Sequence, residues 1–174
     1  MTISSLIAQD SVSYAESVIS SNTWARHMYL ANYCDNRWND GTIVNQEPIA
    51  INPAASGIQY GQSVFEGICV ERSPEGKRVL FRLEHHYERL MRSCDRLAIP
   101  EIPWSTFHQA VEAVTAEESQ WQYPFTSDLI YLRPLIFGTT GFISPKAAET
   151  YVFVILAAPF RRPFKEEGLT IVVN

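Results

Sequence analysis

The chain has 174 residues, of which 46% are hydrophobic and 19% are charged. That length and composition predict one globular domain with a hydrophobic core of its own. The formal net charge of -5, with no long basic run to offset it, argues against nucleic acid or an anionic membrane surface as a binding partner. No apolar run in the sequence approaches the ~20 residues that a membrane-spanning helix needs.

The first 26 residues are rich in serine and contain Asp10 and Glu16, but no basic residue precedes Arg26. This composition differs from that of a secretory signal or a transit peptide, so we expect a flexible leader. The cysteines form no CxxC pair and the histidines show no metal-binding spacing, so neither a zinc site nor a disulfide framework is indicated. We therefore expect a reducing, cytoplasmic location. The cysteines are Cys34, Cys69 and Cys94.

The first half of the chain has the pattern of strands and turns. Residues 27–33 alternate apolar and polar side chains and are followed by the turn pair Asp35-Asn36, which predicts a β-hairpin. Residues 63–71 have the β-branched and aromatic character of a strand. Gly67 within that strand suggests a bulge, or a close approach by another backbone or by a ligand. The turn residues that follow predict a return strand from Val79.

A change of period at Leu83 marks the start of two helices. From this residue apolar side chains recur at helical spacing. Glu88 and Arg92 stand four residues apart on this helix and are placed to form an ion pair. The prolines after it should end the helix, and a second amphipathic helix is predicted from Trp104 to about Glu118.

Two long apolar runs follow the helices. Residues 129–137 and 151–158 are predicted to be central strands buried on both faces, the first of them bent at Pro134. Residues 160–168 form a basic, proline-containing connector, and 168–174 begins as another strand-like run. Because the sequence ends within that run, directly after a connector, we expect it to be part of a longer protein.

Arg133 is the most informative single residue. A guanidinium inside an apolar strand must be paired or line a wet cavity, since an uncompensated buried charge is costly. A structural salt bridge and an anion-binding role are about equally compatible with this placement. Tyr131, two residues earlier, faces the same side of the strand, and a Tyr beside an Arg suits a carboxylate or phosphate oxygen.

Spacing does not distinguish the other candidate residues. Arg89 shares the polar side of the first helix with three other arginines, a pattern that is most often typical of a solvated face. Tyr60 and Phe65 flank a Gly-Gln turn, where aromatic side chains more often belong to a core than to a cofactor wall. The residues alone therefore predict an α+β domain with an anion pocket.

Five blocks of the sequence form a joint pattern: YGQSVFEG at 60–67, LFR at 80–82, HYERL at 86–90, YLRPLI at 131–136 and YVFVIL at 151–156. Together they resemble the branched-chain aminotransferases, which are class IV aminotransferases of the fold-type IV pyridoxal-phosphate (PLP) group. The resemblance spans about residues 27–173. It implies the small N-terminal α+β domain of that fold at 27–160, an antiparallel-rich sheet packed with two helices. Residues 161–174 are then the interdomain connector and the start of a truncated large domain.

The resemblance implies a PLP-dependent enzyme that moves an amino group between a branched-chain amino acid and 2-oxoglutarate. In the family, the Arg that matches Arg89 binds the cofactor phosphate, and a guanidinium is well suited to a phosphate dianion. Residues that match Tyr60, Phe65 and Tyr131 wall the substrate pocket. The Arg that matches Arg133 helps to accept the side-chain carboxylate of glutamate.

Three positions depart from the family pattern. The Lys that forms a Schiff base with the cofactor belongs to the larger C-terminal domain. None of the lysines here (Lys77, Lys146 and Lys165) matches it, so no catalytic residue is assigned within this chain. The basic residue usual after the FEG segment is Cys69, and the pocket Tyr common near the connector is Pro163, which leaves the substrate open.

Three interpretations remain. The first is the N-terminal part of a branched-chain aminotransferase-like homodimer, from a truncated reading frame or one half of a split enzyme with a separate C-terminal half. In this case the face with Phe65 and Tyr131 should be apolar, exposed and covered by self-association. The second is a non-catalytic module that keeps the fold for binding or dimerisation. The third is another class IV activity, such as a D-amino-acid aminotransferase or a 4-amino-4-deoxychorismate lyase.

Overall fold

The computed structural model describes residues 24–75, 77–118 and 129–159. In chain order these residues form β1 (His27–Cys34), β2 (Arg37–Trp38), β3 (Thr42–Asn45), α1 (Ser56–Gln59), β4 (Ser63–Phe65), β5 (Ile68–Arg72), β6 (Arg78–Leu80), α2 (Leu83–Arg96), α3 (Trp104–Glu118), β7 (Ile130–Gly138) and β8 (Tyr151–Pro159). The predicted leader up to residue 23, and the predicted connector with Lys165 and Pro163, lie outside the described residues.

The strands form one sheet in which every pair is antiparallel. Its order is β2-β1-β8-β7-β5-β6, with β3 also beside β1 and β4 also beside β7. This confirms the predicted α+β class with an antiparallel-rich sheet, to which the one-turn helix α1 is an addition. None of the described helices is long and apolar enough to span a membrane.

The predicted hairpin is present as β1 and β2. Its two-residue loop consists of Asp35 and Asn36, whose φ angles are 49° and 59°. The flanking residues Cys34 and Arg37 are paired directly. Because Asp and Asn tolerate the left-handed conformation, they suit a two-residue hairpin loop, in which both central residues need a positive φ.

The strand predicted at 63–71 is divided into β4 and β5, but the predicted bulge is wrong. Phe65 pairs with Leu135 and Ile68 pairs with Leu132, so the same number of residues separates the two pairs on each strand. The ladder is interrupted because Pro134, which stands opposite the gap, has no N–H to donate. The N–H of Glu66 still donates to the carbonyl of Pro134 at 2.9 Å.

The side chain of Tyr131 lies against Gly67, which is in this gap. A Cβ built on Gly67 would be 2.9 Å from Cζ of Tyr131 and closer still to its hydroxyl. The protein group that approaches this glycine closely is therefore a side chain and not another backbone segment. Any larger residue would displace the Tyr131 ring.

The prediction that β7 is buried on both faces is wrong. Its residues alternate strictly, so that Leu132 and Ile136 are fully buried while Tyr131, Arg133 and Leu135 are half-buried. Strand alternation places Phe65, Tyr131, Arg133 and Leu135 on one side of the sheet, here called the outer face. The opposite, inner face of the sheet is covered by helices.

The two long helices build the core on this inner face. From α2 the buried residues are Leu83, Leu90 and Cys94, and from α3 they include Phe107 and Val111. Helix α2 packs against β4, whereas α3 packs against β1 and β8. The prediction for β8 is confirmed over most of its length, since five successive residues from Tyr151 are buried; these are Tyr151, Val152, Phe153, Val154 and Ile155.

Gln62 is a buried polar residue that joins three distant segments. Its Nε2 donates to the carbonyl of Leu97 at 2.8 Å and to the Tyr151 hydroxyl at 3.2 Å. Its Oε1 accepts the N–H of Ala148 at 3.0 Å. Because a buried amide is costly unless it is hydrogen-bonded, these contacts hold the start of β4 against the end of α2 and the start of β8.

Candidate functional site

Arg89, in the middle of α2, forms a bidentate ion pair with Glu66. Its Nε donates to Oε2 of Glu66 at 2.8 Å and its Nη2 donates to Oε1 at 2.5 Å. Oε1 also accepts the N–H of Gly67 at 2.8 Å. Nδ1 of His86 lies 3.1 Å from Nη2 and 3.5 Å from Oε1. One carboxylate therefore fastens α2 to the junction between β4 and β5.

The two partners of this ion pair differ in their contact with water. The Glu66 side chain is 10% exposed, whereas that of Arg89 is 55% exposed. Burial acts to raise the pKa of Glu66, but hydrogen bonds from Arg89 and from the Gly67 N–H outweigh it and leave the pKa below its usual value. Hydrogen bonding to Glu66 raises the pKa of Arg89. Both shifts favour the charged forms, so the carboxylate fixes the orientation of the guanidinium.

An open pocket of about 310 Å³ lies beside Arg89, at the start of α2. It is lined by Phe81, Arg82, His85, His86, Arg89 and Arg92. The lining thus contains three guanidinium groups and two imidazoles, and no carboxylate. The predicted ion pair between Glu88 and Arg92 is wrong, since these side chains are not among the ion pairs within 4.0 Å in the described residues. We call the pocket with this lining, beside Arg89, the α2 pocket.

On the outer face, Arg133 is packed between two aromatic side chains. Its Nη2 and Nε donate to the Tyr131 hydroxyl at 2.8 and 3.2 Å. Its guanidinium carbon lies 4.4 Å from the centre of the Phe65 ring, a cation–π contact. Among the described residues no carboxylate lies within 4.0 Å of Arg133, so the structural salt bridge considered for it is not observed there.

Two further positions complete the predicted site. Tyr60 is 45% exposed, and its ring stacks on Phe142 with the centroids 6.5 Å apart. Cys69 is half-buried on the outer face and pairs directly with Tyr131 across β5 and β7. Phe65, Tyr131 and Arg133 are therefore brought into one cluster, Cys69 is adjacent to it in register, and Tyr60 stands with the loop after β7.

Arg89 and Arg133 lie on opposite faces of the sheet. Successive side chains alternate along a strand, so Glu66, which holds Arg89, points away from the face that carries Phe65 and Arg133. The two cationic groups meet the same short segment, Glu66-Gly67, from its two sides. Sequence reasoning had assigned no role to Glu66, although a carboxylate inside the apolar run 63–71 was a signal that a cation must lie close to it.

Known proteins are similar to this chain over most of its length. The family described as amino-transferase class IV matches residues 63–173. The aminotransferase atnJ of Emericella nidulans is 38% identical over 130 residues, which cover 74% of this chain and 37% of that protein. The branched-chain-amino-acid aminotransferase of Helicobacter pylori is 32% identical over 138 residues, which cover 79% of this chain and 41% of that protein. The chain therefore spans about two fifths of the length of these relatives.

A solved structure shares the fold described above. It is the branched-chain amino acid aminotransferase from Escherichia coli, with a TM-score of 0.59 and 26% sequence identity. The alignment covers 78% of this chain and 41% of that chain. The similarity thus extends over most of this chain, in agreement with the matched family. Because that family's match extends over more than half of the residues, the chain belongs to the class IV aminotransferases.

Proposed function

We propose that this chain is the N-terminal part of a PLP-dependent aminotransferase that moves an amino group between a branched-chain amino acid and 2-oxoglutarate. The observation that carries the proposal is the setting of Arg133 on the outer face. Its guanidinium has no carboxylate within 4.0 Å among the described residues and lies against Phe65 and Tyr131. An apolar wall with one such cation suits both an aliphatic side chain and a side chain that ends in a carboxylate, as this transfer requires.

The residues present also fit the phosphate of the cofactor. Glu66 holds Nε and Nη2 of Arg89, while Nη1 has no hydrogen-bond partner among the described residues. The lining of the α2 pocket next to it contains three guanidinium groups and no carboxylate. PLP, when bound, supplies the electron sink that exchange of an amino group for an oxo group needs. In this proposal Arg89 binds its phosphate.

The outer face provides the substrate side of the proposed site. The Tyr131 hydroxyl accepts two hydrogen bonds from Arg133 and so sets the direction of the guanidinium. Phe65 is 61% exposed and offers an apolar surface beside it. Tyr60 is proposed to extend this wall from the neighbouring loop. Cys69 stands where the family resemblance implies a basic residue, so we propose that Arg133 alone receives the substrate carboxylate.

We propose that the lysine that would form a Schiff base with the cofactor lies in a C-terminal part of the protein. Lys146, which the described residues include, pairs with Glu149 at 3.2 Å and lies over the Phe142 ring. That the chain covers about two fifths of its relatives supports the need for a further part. We also propose that the protein is a homodimer. We further propose a reducing, cytoplasmic setting, which the free thiols of the three cysteines support.

The experiment combines the chain with the polypeptide encoded downstream of Asn174 and measures PLP-dependent amino transfer from leucine to 2-oxoglutarate. We expect Arg133→Leu to lower kcat/KM for 2-oxoglutarate by about tenfold or more, since it removes a charged hydrogen-bond donor, and to change the leucine half-reaction much less. Arg96→Ala, a charge loss away from both sites, is the control. Equal losses for both substrates, or activity only with D-amino acids or as a lyase, would overturn the substrate assignment.

A binding or dimerisation module without catalysis is the second candidate. It is favoured by the exposure of Phe65 on the outer face, because a large apolar ring on a sheet face is often covered by a partner. Sedimentation across a concentration series is expected to show self-association of the chain. A clean monomer at every concentration would count against this candidate and against a homodimer formed through this face.

A further inference from the structure

We propose that the α2 pocket binds a phosphate monoester dianion and that Arg82 and Arg92 act there as phosphate ligands in addition to Arg89. The inference deepens the proposed function and rests on it for the role of Arg89. Neither Arg82 nor Arg92 has a role in that function as stated above. Four observations support it: the placement of the side chains, their unbalanced charge, the backbone of Arg82 and the fixed orientation of Arg89.

The placement follows from helix geometry. His85, Arg89 and Arg92 succeed one another at intervals of three or four residues, so they form one stripe along α2, and Arg82 precedes this stripe as the N-cap of the helix. This stripe is exposed, whereas Leu90 faces the core. All four side chains line the same pocket of about 310 Å³. A ligand in this pocket can therefore meet several of them at once.

The charges of the pocket lining are unbalanced within the described residues. Neither Arg82 nor Arg92 has a carboxylate within 4.0 Å there, although Glu88 stands one turn before Arg92. Like charges at this spacing destabilise a helix, and cations near its N-terminal end oppose the helix dipole. Three guanidinium groups and the one carboxylate of Glu66 leave two positive charges. A phosphate monoester dianion balances that charge, whereas a single carboxylate does not.

The backbone of Arg82 is unusual for its position. Arg82 is the N-cap of α2 and adopts a left-handed conformation with φ 54° and ψ 49°, without a side-chain cap hydrogen bond. Helices are normally capped there by Ser, Thr, Asp or Asn, and a left-handed arginine is strained. This conformation places the guanidinium carbon 5.8 Å from the centre of the exposed Phe81 ring, at the lining of the pocket. Strain at a residue that lines a cationic pocket points to binding.

The fixed orientation of Arg89 explains why further ligands are needed. Two of its donor atoms are directed at Glu66, at 2.8 and 2.5 Å, so it offers only part of its guanidinium to an anion. A phosphate dianion accepts several hydrogen bonds and is suited to paired donors from arginine. Arg82 and Arg92, which also line the pocket, supply such donors.

The test titrates the chain with inorganic phosphate, with pyridoxal 5'-phosphate and with pyridoxal, followed by calorimetry. The variants are Arg92→Ala and Arg82→Gly; glycine tolerates the positive φ, so the second removes the side chain without adding backbone strain. Each is expected to weaken binding of both phosphate-bearing ligands by about tenfold, as loss of a charged hydrogen bond predicts. The matched control Arg96→Ala removes a charge from the same helix outside the pocket lining and should change binding by less than about twofold.

The outcomes separate this inference from the proposed function. Unchanged phosphate affinity in both variants overturns the inference, and so does an equal loss in Arg96→Ala, which would indicate a general charge effect. If Arg89→Ala alone abolishes binding of pyridoxal 5'-phosphate, the proposed cofactor site stands without Arg82 and Arg92. If both variants weaken inorganic phosphate while the completed protein transfers no amino group, the pocket stands and the proposed function fails. Binding of pyridoxal as tight as its phosphate ester in the wild type also overturns the inference.

Discussion

The ion pair between Glu66 and Arg89 joins a well-buried carboxylate to an exposed guanidinium, and this asymmetry leads to a quantitative prediction. Arg89→Ala removes two donors, which lie 2.8 and 2.5 Å from the Glu66 oxygens. It leaves the carboxylate with the N–H of Gly67 and with His86 at 3.5 Å. The side chain of Glu66 is 10% exposed in the wild type, so water cannot fully replace the lost donors.

The magnitude follows from the exposure of the two partners. A hydrogen bond to a charged group contributes about 1.5–3 kcal/mol, whereas an exposed ion pair contributes about 0.2–1 kcal/mol. Glu66 resembles the first case and Arg89, at 55% exposure, resembles the second. We therefore expect Arg89→Ala to lower the free energy of unfolding by about 1–2 kcal/mol at neutral pH. Glu66→Gln, which keeps one acceptor and removes the charge, should lower it by about 1 kcal/mol.

The loss should depend on pH because the pKa of Glu66 is lowered in the folded protein. Such a carboxyl stabilises the fold above its unfolded pKa of about 4.3. That contribution is lost as the pH falls through the lower, folded-state pKa. In Arg89→Ala, only the N–H of Gly67 and His86 still oppose the effect of burial, so the pKa of Glu66 rises. The difference in stability between wild type and variant should therefore be full at neutral pH and shrink below about pH 4.

Urea unfolding followed by tryptophan fluorescence, at neutral pH and near pH 3, measures this difference. Arg92→Ala is the matched control, because Arg92 lies on the same helix without an ion-pair partner within 4.0 Å among the described residues. Its free energy of unfolding should stay within about 0.5 kcal/mol of the wild type. A loss in the control equal to that in Arg89→Ala, or a loss in Arg89→Ala that is unchanged in acid, would refute the reasoning.

Three further predictions concern individual side chains of the fold. Gln62→Leu should lower the free energy of unfolding by about 2–4 kcal/mol, because it deprives a buried hydroxyl and two backbone groups of their partner; an unchanged Tm would contradict this. Gly67→Ala should cost about 1–3 kcal/mol through overlap with Tyr131, and Tyr131→Phe should reduce that cost in a double-mutant cycle, so that strictly additive losses would be contrary evidence. Burial and the charge of Glu101 raise the pKa of Cys94 to about 12, so iodoacetamide near pH 8 should alkylate exposed Cys34 about tenfold faster or more, as peptide mass spectrometry can show; similar rates would contradict the burial of Cys94.

Local features of the fold were predictable because neighbouring residues determine them. Asp35 and Asn36 tolerate a positive φ, and the hairpin loop is where they predict it. The helical spacing from Leu83 and from Trp104 gave two helices at the expected places. In each case the physical cause acts within a few residues, through backbone sterics or through the period with which apolar side chains recur.

The predictions about long-range features were wrong because residues far apart in the chain determine those features. The apolar run in β7 indicated burial on both faces, but hydrophobicity does not report which face is covered, and Arg133 and Tyr131 lie on the half-buried one. Gly67 suggested a bulge, whereas the gap in the ladder arises because its partner strand carries Pro134 there. A strand's own residues cannot reveal where its partner lacks a donor.

For the candidate site, too, the sequence predicted one part and the tertiary structure decided another. Spacing could not rank the arginines of α2, and the family resemblance selected Arg89 among them. The structure adds Glu66, which belongs to another element and fixes the orientation of that guanidinium. It also places Phe65 against Arg133, a contact between strands separated by two helices.

The sequence by itself determined the class of the domain, most of its elements, its family and the side chains able to bind anions. These follow from local periodicity, turn chemistry and a joint pattern of motifs. Only the tertiary structure decided which side of the sheet each cation occupies, which carboxylate meets which guanidinium, and which arginines share the α2 pocket. Those outcomes depend on contacts between residues far apart in the chain, where the free energy of burying a charge is set by its partners.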